Sequence, residues 1–207
     1  MIRLGVLISG SGRTLQNFID LIRDGKLDAE IAVVISSLSK VKGVDLAKSA
    51  GLPIEIVRKR DYRDIDAFSD RILGTLEAHA VDLVCLAGWT CLWRLPRRWF
   101  GRVMNIHPAL LPKYGGKGFY GHHVHEAVLA ARDAESGCTV HFANNEYDAG
   151  PIILQRRCPV RPTDTPDALA ARVFEQELLA YPEAVRLFAA GRLRLDGDRV
   201  TILPRGR

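Results

Sequence analysis

Between residues 3 and 107, short runs rich in valine, isoleucine and leucine alternate with amphipathic stretches, and this rhythm limits the possible folds more than any other feature. The runs are RLGVLIS (3–9), EIAVVISS (30–37), PIEIV (53–57), DLVCLAG (82–88) and RVMNIH (102–107). Between them lie TLQNFIDLIRDG (14–25), with apolar Leu15, Phe18, Ile19 and Ile22 at helical spacing, KGVDLAKSAG (42–51), closed by Gly51, and DIDAFSDRILGTLEAHA (64–80). A run that is apolar at consecutive positions belongs to a strand buried on both faces, and a helix-length crossover returns the chain parallel to itself. The pattern predicts an α/β fold with a Rossmann-like, mostly parallel central sheet and helices on both faces.

After residue 107 the rhythm changes. A glycine-rich loop, KYGGKGFYGHHVHEAV, leads into a helix expected from about His125 to Arg132. GCTVHFA (137–143) and PIILQRRCPV (151–160), separated by NNEYDAG, predict an antiparallel extension of the sheet. A long helix over 166–191 has capping residues at Thr163 to Thr165 and an internal Pro182 expected to kink it. The tail, RLRLDGDRVTILP, predicts an exposed hairpin turning at Asp-Gly.

At 207 residues, 47% of them hydrophobic, the chain suits one globular domain or two small lobes sharing one sheet. No apolar run approaches the roughly 18 to 20 residues that span a bilayer, and MIRLGVLISG lacks a signal-cleavage pattern, so a soluble, cytoplasmic protein without a membrane partner is expected. Cys85, Cys91, Cys138 and Cys158 lie far apart with no C-x-x-C pair, and read as free thiols in a reducing compartment. The net charge of +5 suits an anionic ligand; the basic residues are scattered and accompany no nucleic-acid motif, so no nucleic-acid partner is expected.

Three places carry chemistry. SGSGRTLQNF (9–18) joins the first strand to the first helix, where glycines let a backbone approach an anion and free N–H groups hold it. Leu15 takes the place of the third glycine of a dinucleotide fingerprint, and the second strand ends in Ser36 and Ser37 rather than an acid. A single phosphate therefore fits better than NAD, the plain alternative being a tight turn. A cation at the helix start, Arg13, opposes the helix dipole unless an anion is present. Next, in VMNIHP, strand periodicity puts Asn105 and His107 on one side and Ile106 on the other. An amide beside an imidazole is what a carbonyl addition uses, one for the oxyanion and one to move protons; the alternative is a polar pair closing a strand. Finally, Asp148, in NNEYDAG, supplies a carboxylate to orient and charge the histidine, or else simply makes a turn with Ala149 and Gly150. The His122, His123, His125 cluster reads as loop packing rather than as a metal site, and His141 either lines the cleft or is a satisfied core histidine.

The segments LISGSGRTLQNFID, DLVCLAGW, VMNIHPALLPKYGGKG, SGCTVHF and YDAGPIILQ, in this order and spacing, resemble the glycinamide ribonucleotide formyltransferases of purine biosynthesis, from about Arg3 to Leu195. The resemblance implies the formyltransferase fold as one domain over 1–207. Its parts are a nucleotide- and phosphate-binding half (1–100), a catalytic and folate-binding half (101–195) and a tail (196–207). It implies transfer of a formyl group from 10-formyltetrahydrofolate, the cosubstrate, to the glycinamide amine, with no metal, by a monomer or homodimer. Carried across, the substrate phosphate loop falls on Gly12, Arg13 and Thr14, and the catalytic residues on Asn105, His107 and Asp148. The folate contacts fall on Thr90, Cys91, Leu92, Trp93, Asn105 and the segment Asn144, Asn145, Glu146, Tyr147, Asp148. A contact to the ribonucleotide falls on Glu177.

The chain departs from the family pattern in three ways. Arg13 and Thr14 replace serine and asparagine, Cys91 replaces an arginine before a shortened loop, and a third-helix arginine has no match, Ile65 aligning there. The mechanism implied is direct attack of the amine on the formyl carbon. Asn105 and a protonated His107 hold the oxyanion, His107 protonates the departing folate nitrogen, and Asp148 keeps the histidine charged. Other readings are formyl transfer to another amine such as an aminosugar nucleotide, a formyltetrahydrofolate hydrolase, and a non-enzymatic nucleotide-binding module.

Overall fold

The structure is a computed structural model and describes residues 1–205; the last two residues of the expected tail lie outside the described residues. Nine strands and five helices follow one another as β1 (Ile2–Ile8), α1 (Arg13–Arg23), β2 (Ala29–Ser36), α2 (Lys42–Ser49), β3 (Ile54–Ile56), α3 (Ile65–Ala78), β4 (Leu83–Leu86), β5 (Val103–His107), α4 (His122–Ala131), β6 (Glu135–Phe142), β7 (Ile152–Pro159), α5 (Pro166–Ala189), β8 (Leu193–Asp196) and β9 (Arg199–Ile202), counted among the described residues. Seven of the strands form one sheet in the order β3-β2-β1-β4-β5-β6-β7. The chain divides into two compact units within β5, the first Met1–Met104 and the second beginning at Asn105.

In the first unit β1 pairs in parallel with β2 and β4, and β2 with β3, as the alternation predicts. Leu4, Val6, Leu7 and Ile8 of β1 and Val33, Val34 and Ile35 of β2 are wholly buried, so neither face of these strands meets solvent. Gly5 allows one close approach: a Cβ there would sit 2.6 Å from Leu76 Cδ2 of α3. α3 starts at Asp64, whose carboxylate accepts from the Ala67 N–H at 2.8 Å, and buries Phe68, Ile72 and Leu76, one helical turn apart. Each such side chain contributes roughly 1.5–3 kcal/mol through burial. Phe68 stacks on Trp89 at a centroid distance of 6.2 Å, fixing the segment after β4.

The second unit contains the antiparallel β6/β7 pair expected from sequence. α5 is capped by Thr165, which accepts from Ala168 N, and buries Leu169, Val173, Ala180, Tyr181, Ala184 and Val185. The helix continues through Pro182, a position beside fully buried Tyr181, to Ala189. Two local expectations shift. α4 begins at His122, not His125, because Gly121 (φ 55°) turns the chain into the helix earlier. The β8/β9 hairpin turns at Gly197 and Asp198, with Asp196 paired to Arg199, because glycine (φ 59°) takes the first turn position, where a positive φ is needed. All four cysteines are free. Burial pushes the Cys138 thiol up to about 12, with Glu177 adding to it, and burial also raises Cys158, so neither is a ready nucleophile. Among the described residues, no helix is long and apolar enough to cross a membrane.

Candidate functional site

In the second unit, β5 delivers Asn105 and His107 to the same side, and both reach Asp148. The Asn105 Nδ2 donates to Asp148 Oδ1 at 3.2 Å, and His107 Nδ1 lies 3.4 Å from the same oxygen. Ile106, between them, is buried, as the period of two requires. Asp148 stands in the β6/β7 connection with φ 53°, a left-handed backbone that aspartate tolerates better than most residues. Two features hold that connection in place. A Cβ on Gly150 would lie 1.8 Å from the Phe142 carbonyl oxygen, so only glycine lets the strands come this close. The pairing also slips between Val140 and His141, where His141 faces Ile152 and Ile153 is skipped.

His141 completes the cluster. Its Nε2 lies 3.1 Å from Asn105 Nδ2 and 3.7 Å from Asp148 Oδ1, and its Nδ1 lies 2.9 Å from the Phe142 carbonyl. A carbonyl only accepts, so Nδ1 carries the proton, and Nε2 of the neutral ring accepts from the Asn105 amide. Both Asn105 amide hydrogens are then engaged, one on His141 and one on Asp148. This sets the amide's orientation, because its oxygen turned toward a carboxylate would be repelled.

His107 is tied at both nitrogens. Its Nε2 donates to the Tyr114 carbonyl at 2.7 Å, leaving Nδ1, opposite Asp148, as the nitrogen that gains or loses a proton. Asp148 Oδ2 accepts from the Gly116 N–H at 3.0 Å. Burial acts to raise the Asp148 carboxyl. The hydrogen bond from His107, the His107 charge and the Gly116 N–H outweigh it and hold the carboxyl well below the usual carboxylate range. His107 and His141 are almost fully buried and Asp148 nearly so. Such a cluster can donate hydrogen bonds to a developing oxyanion and exchange a proton beside it.

The other expected residues fall as follows. Gly12 is the residue before α1, with φ 77°, and a Cβ on it would meet the Gly43 Cα at 2.8 Å. α1 has no side-chain cap and no acidic residue in its first turn, and Arg13 and Thr14 open it. Ser9 joins the ends of three strands, its Oγ 2.6 Å from Ser37 Oγ and accepting from Thr90 N at 3.1 Å. In the segment Thr90–Trp93, Trp93 is buried while Thr90 is exposed. Trp89 Nε1 donates to the Cys91 carbonyl, closing the turn. In the second unit Asn144 Oδ1 accepts from Glu146 N, Asn145, Glu146 and Tyr147 are exposed, and Glu177 lies half-buried on α5. The three loop histidines diverge. His122 lies 3.4 Å from Asp167 and His123 3.4 Å from Glu126, whereas His125 points inward with its Nδ1 unpartnered. Burial, with the charges of His122 and His107, lowers the His125 pKa to about 4. Among the described residues no group of three His, Cys, Asp or Glu side chains is placed to hold a metal ion.

Sequence reasoning left His141 open and missed the backbone groups of Tyr114 and Gly116. The signal for His141 was its alternation with Thr139 in TVHF; main-chain partners leave no signal in side-chain identity.

A family model described as formyl transferase matches residues 2–185. The chain is 39% identical over 197 residues to a phosphoribosylglycinamide formyltransferase of Haemophilus influenzae, covering 94% of this chain and 91% of that one. It is 42% identical over 195 residues, 93% of this chain, to the trifunctional purine biosynthetic protein adenosine-3 of Bos taurus, of which it spans only 19%. A solved structure, the glycinamide ribonucleotide transformylase 1 of Symbiobacterium toebii, superposes with a TM-score of 0.91 at 42% identity, over 99% of this chain and 95% of that one.

Proposed function

The chain belongs to the formyl transferase family, and within it we propose that it transfers the formyl group of 10-formyltetrahydrofolate to the amine of glycinamide ribonucleotide, in purine biosynthesis. The observation that carries this reading is the buried cluster in which Asn105, His107 and His141 surround one carboxylate, Asp148.

The reaction makes one C–N bond and breaks another. The substrate amine attacks the formyl carbon, and the carbonyl oxygen gains the negative charge. Asn105 turns one amide hydrogen from a protein partner to that oxygen, and protonated His107 stabilises the same charge. As the C–N bond to the folate nitrogen breaks, His107 gives its Nδ1 proton to that nitrogen, and Asp148 takes the proton the amine loses. Every atom is accounted for, and no covalent enzyme intermediate forms. In this reading Gly12, Arg13 and Thr14 hold the substrate phosphate at the start of α1, with Arg13 adding a charge-assisted contact, and Glu177 contacts the ribonucleotide. Thr90, Cys91, Leu92 and Trp93 and the segment Asn144–Asp148 contact the folate, where burial makes Trp93 an anchor for the segment. The parts of one formyltransferase domain are then residues 1–100, 101–195 and 196–207. The protein works on small molecules in the cytoplasm, as a monomer or homodimer without a nucleic-acid partner, and its own side chains supply the proton transfers.

The test is release of tetrahydrofolate from 10-formyltetrahydrofolate in the presence of glycinamide ribonucleotide, an aminosugar nucleotide, or water alone. Release that depends on glycinamide ribonucleotide supports the reading. Release with water alone points to a hydrolase, and preference for the aminosugar to another acceptor; either replaces the proposal.

A further inference from the structure

Two contacts to the cluster come from the main chain of the loop after β5. The Tyr114 carbonyl accepts from His107 Nε2 and the Gly116 N–H donates to Asp148 Oδ2. Changing the side chain at those positions, proline aside, leaves the backbone groups in place, so what counts is where the loop's backbone sits. Tyr114 has φ 56°, a left-handed conformation costly for a residue with a Cβ, so the surroundings must hold it there. Packing does little on one side, because Leu110, Leu111, Lys113, Tyr114 and Gln155 border a cavity of about 400 Å³.

Buried hydrogen bonds hold it instead. Thr139 Oγ1, fully enclosed on β6, donates to the Ala109 carbonyl at 2.6 Å and accepts from Leu111 N at 3.0 Å. Gln155 Nε2, on β7, donates to the Leu111 carbonyl and to Thr139 Oγ1, each at 2.9 Å. Thr139 and Gln155 are themselves opposite one another across the β6/β7 pair. The loop segment Ala109–Leu111 is thereby fastened at both carbonyls and one N–H, and three residues later the chain presents Tyr114 to His107. The Tyr114 hydroxyl adds a bond to Asp133 at 2.9 Å.

We infer that Thr139 and Gln155 are positioning residues for His107: they fix the loop whose Tyr114 carbonyl keeps a proton on Nε2, and so reserve Nδ1 for exchange beside Asp148. The inference rests on the proposed role of His107 in formyl transfer. With the loop unfastened, the imidazole is free to take the other tautomer, in which Nδ1 carries the fixed proton and the acid points the wrong way.

The test compares Thr139→Val, which keeps the shape and loses the hydroxyl, with Thr139→Ser, which keeps the hydroxyl, and with Gln155→Met. Readouts are kcat and KM for both substrates, thermal melting, and ring ¹⁵N shifts of His107 across pH. Thr139→Val and Gln155→Met are expected to lower kcat roughly 10- to 100-fold with KM little changed, since a small misplacement of a reacting group has that cost. Their His107 shifts should show mixed tautomers where the wild type shows a protonated Nε2, and Thr139→Ser should restore most of both. Should Thr139→Val fail to fold, Gln155→Met, at a half-buried position, decides by the same readouts. A folded Thr139→Val or Gln155→Met with wild-type kcat and a wild-type ring signature overturns the inference. If the wild type itself turns over no glycinamide ribonucleotide, the functional reading fails, while the ring signature still decides whether the brace exists.

Discussion

Gly12 and Asp148 both occupy connections that leave a strand, and both take a left-handed backbone, with φ 77° and 53°. They are used in opposite ways. At Gly12 the side chain is absent because a Cβ would collide with Gly43, and what remains is backbone at the start of a helix. At Asp148 the same strain is accepted for the sake of a carboxylate that meets side chains from β5 and β6. A site built from main chain is written in a few adjacent residues. One built from converging side chains depends on the whole of the unit that holds it.

The comparison can be broken in graded steps. Asp148→Asn removes the charge but little of the shape, so it should lower kcat by on the order of 10²-fold or more, the scale of losing a transition-state contact, with KM changed far less. Steady-state kinetics on the folded variant checks this. Gly150→Ala forces a Cβ onto the Phe142 carbonyl oxygen, and calorimetry should find a loss of about 4 kcal/mol or failure to fold. Gly12→Ala meets both the positive φ and the Gly43 contact, and should cost about 2–3 kcal/mol in the same measurement while raising KM for the ribonucleotide more than for the folate. If instead Gly12→Ala were neutral in stability and affinity, the backbone reading of that turn would be wrong.

The smallest effect concerns acidity. His125 is held neutral when folded, with a pKa near 4 against an ordinary value of 6.5, so the unfolded chain binds its proton more readily between those values. The group costs nothing well above pH 6.5, and its penalty grows as pH falls toward 4, amounting to about 2 kcal/mol by pH 5. Asp148 acts later, since its lowered carboxyl supports the fold above the ordinary carboxylate range and that support is lost only as pH falls below it. Melting temperatures from pH 7 to 5 should therefore decline less steeply in His125→Leu than in the wild type. Parallel curves would remove His125 as the source.

Much of the architecture was legible in the sequence because its determinants are local. The runs of β1, β2 and β4 are apolar without alternation, so they read as strands covered on both faces, and Thr165 marked the start of α5 by its side chain, whereas the Asp64 cap of α3 came only with the structure. The start of α4 was misplaced because His122 and His123 look like loop residues, and only the backbone of Gly121 shows that the helix already begins there. Within the site, Asn105 and His107 were visible from period two, and Asp148 from its chemistry and the family resemblance. His141 remained ambiguous because a strand histidine reads the same whether it meets a core carbonyl or a reacting group, and this one meets Asn105 as well as the Phe142 carbonyl. Tyr114 and Gly116 act through main chain, and the hydrogen bonds from Thr139 and Gln155 that place them join residues far apart in the chain.

The account stands on Asn105 and Asp148 acting as one unit during formyl transfer. The direct measurement is a double-mutant cycle on kcat with Asn105→Ala, Asp148→Ala and the pair together. Groups that work as a unit lose little more together than the worse one loses alone, and that is the predicted result, each single variant being down by on the order of 10²-fold or more. Near-normal turnover in both single variants, or losses that simply multiply in the pair, would contradict it.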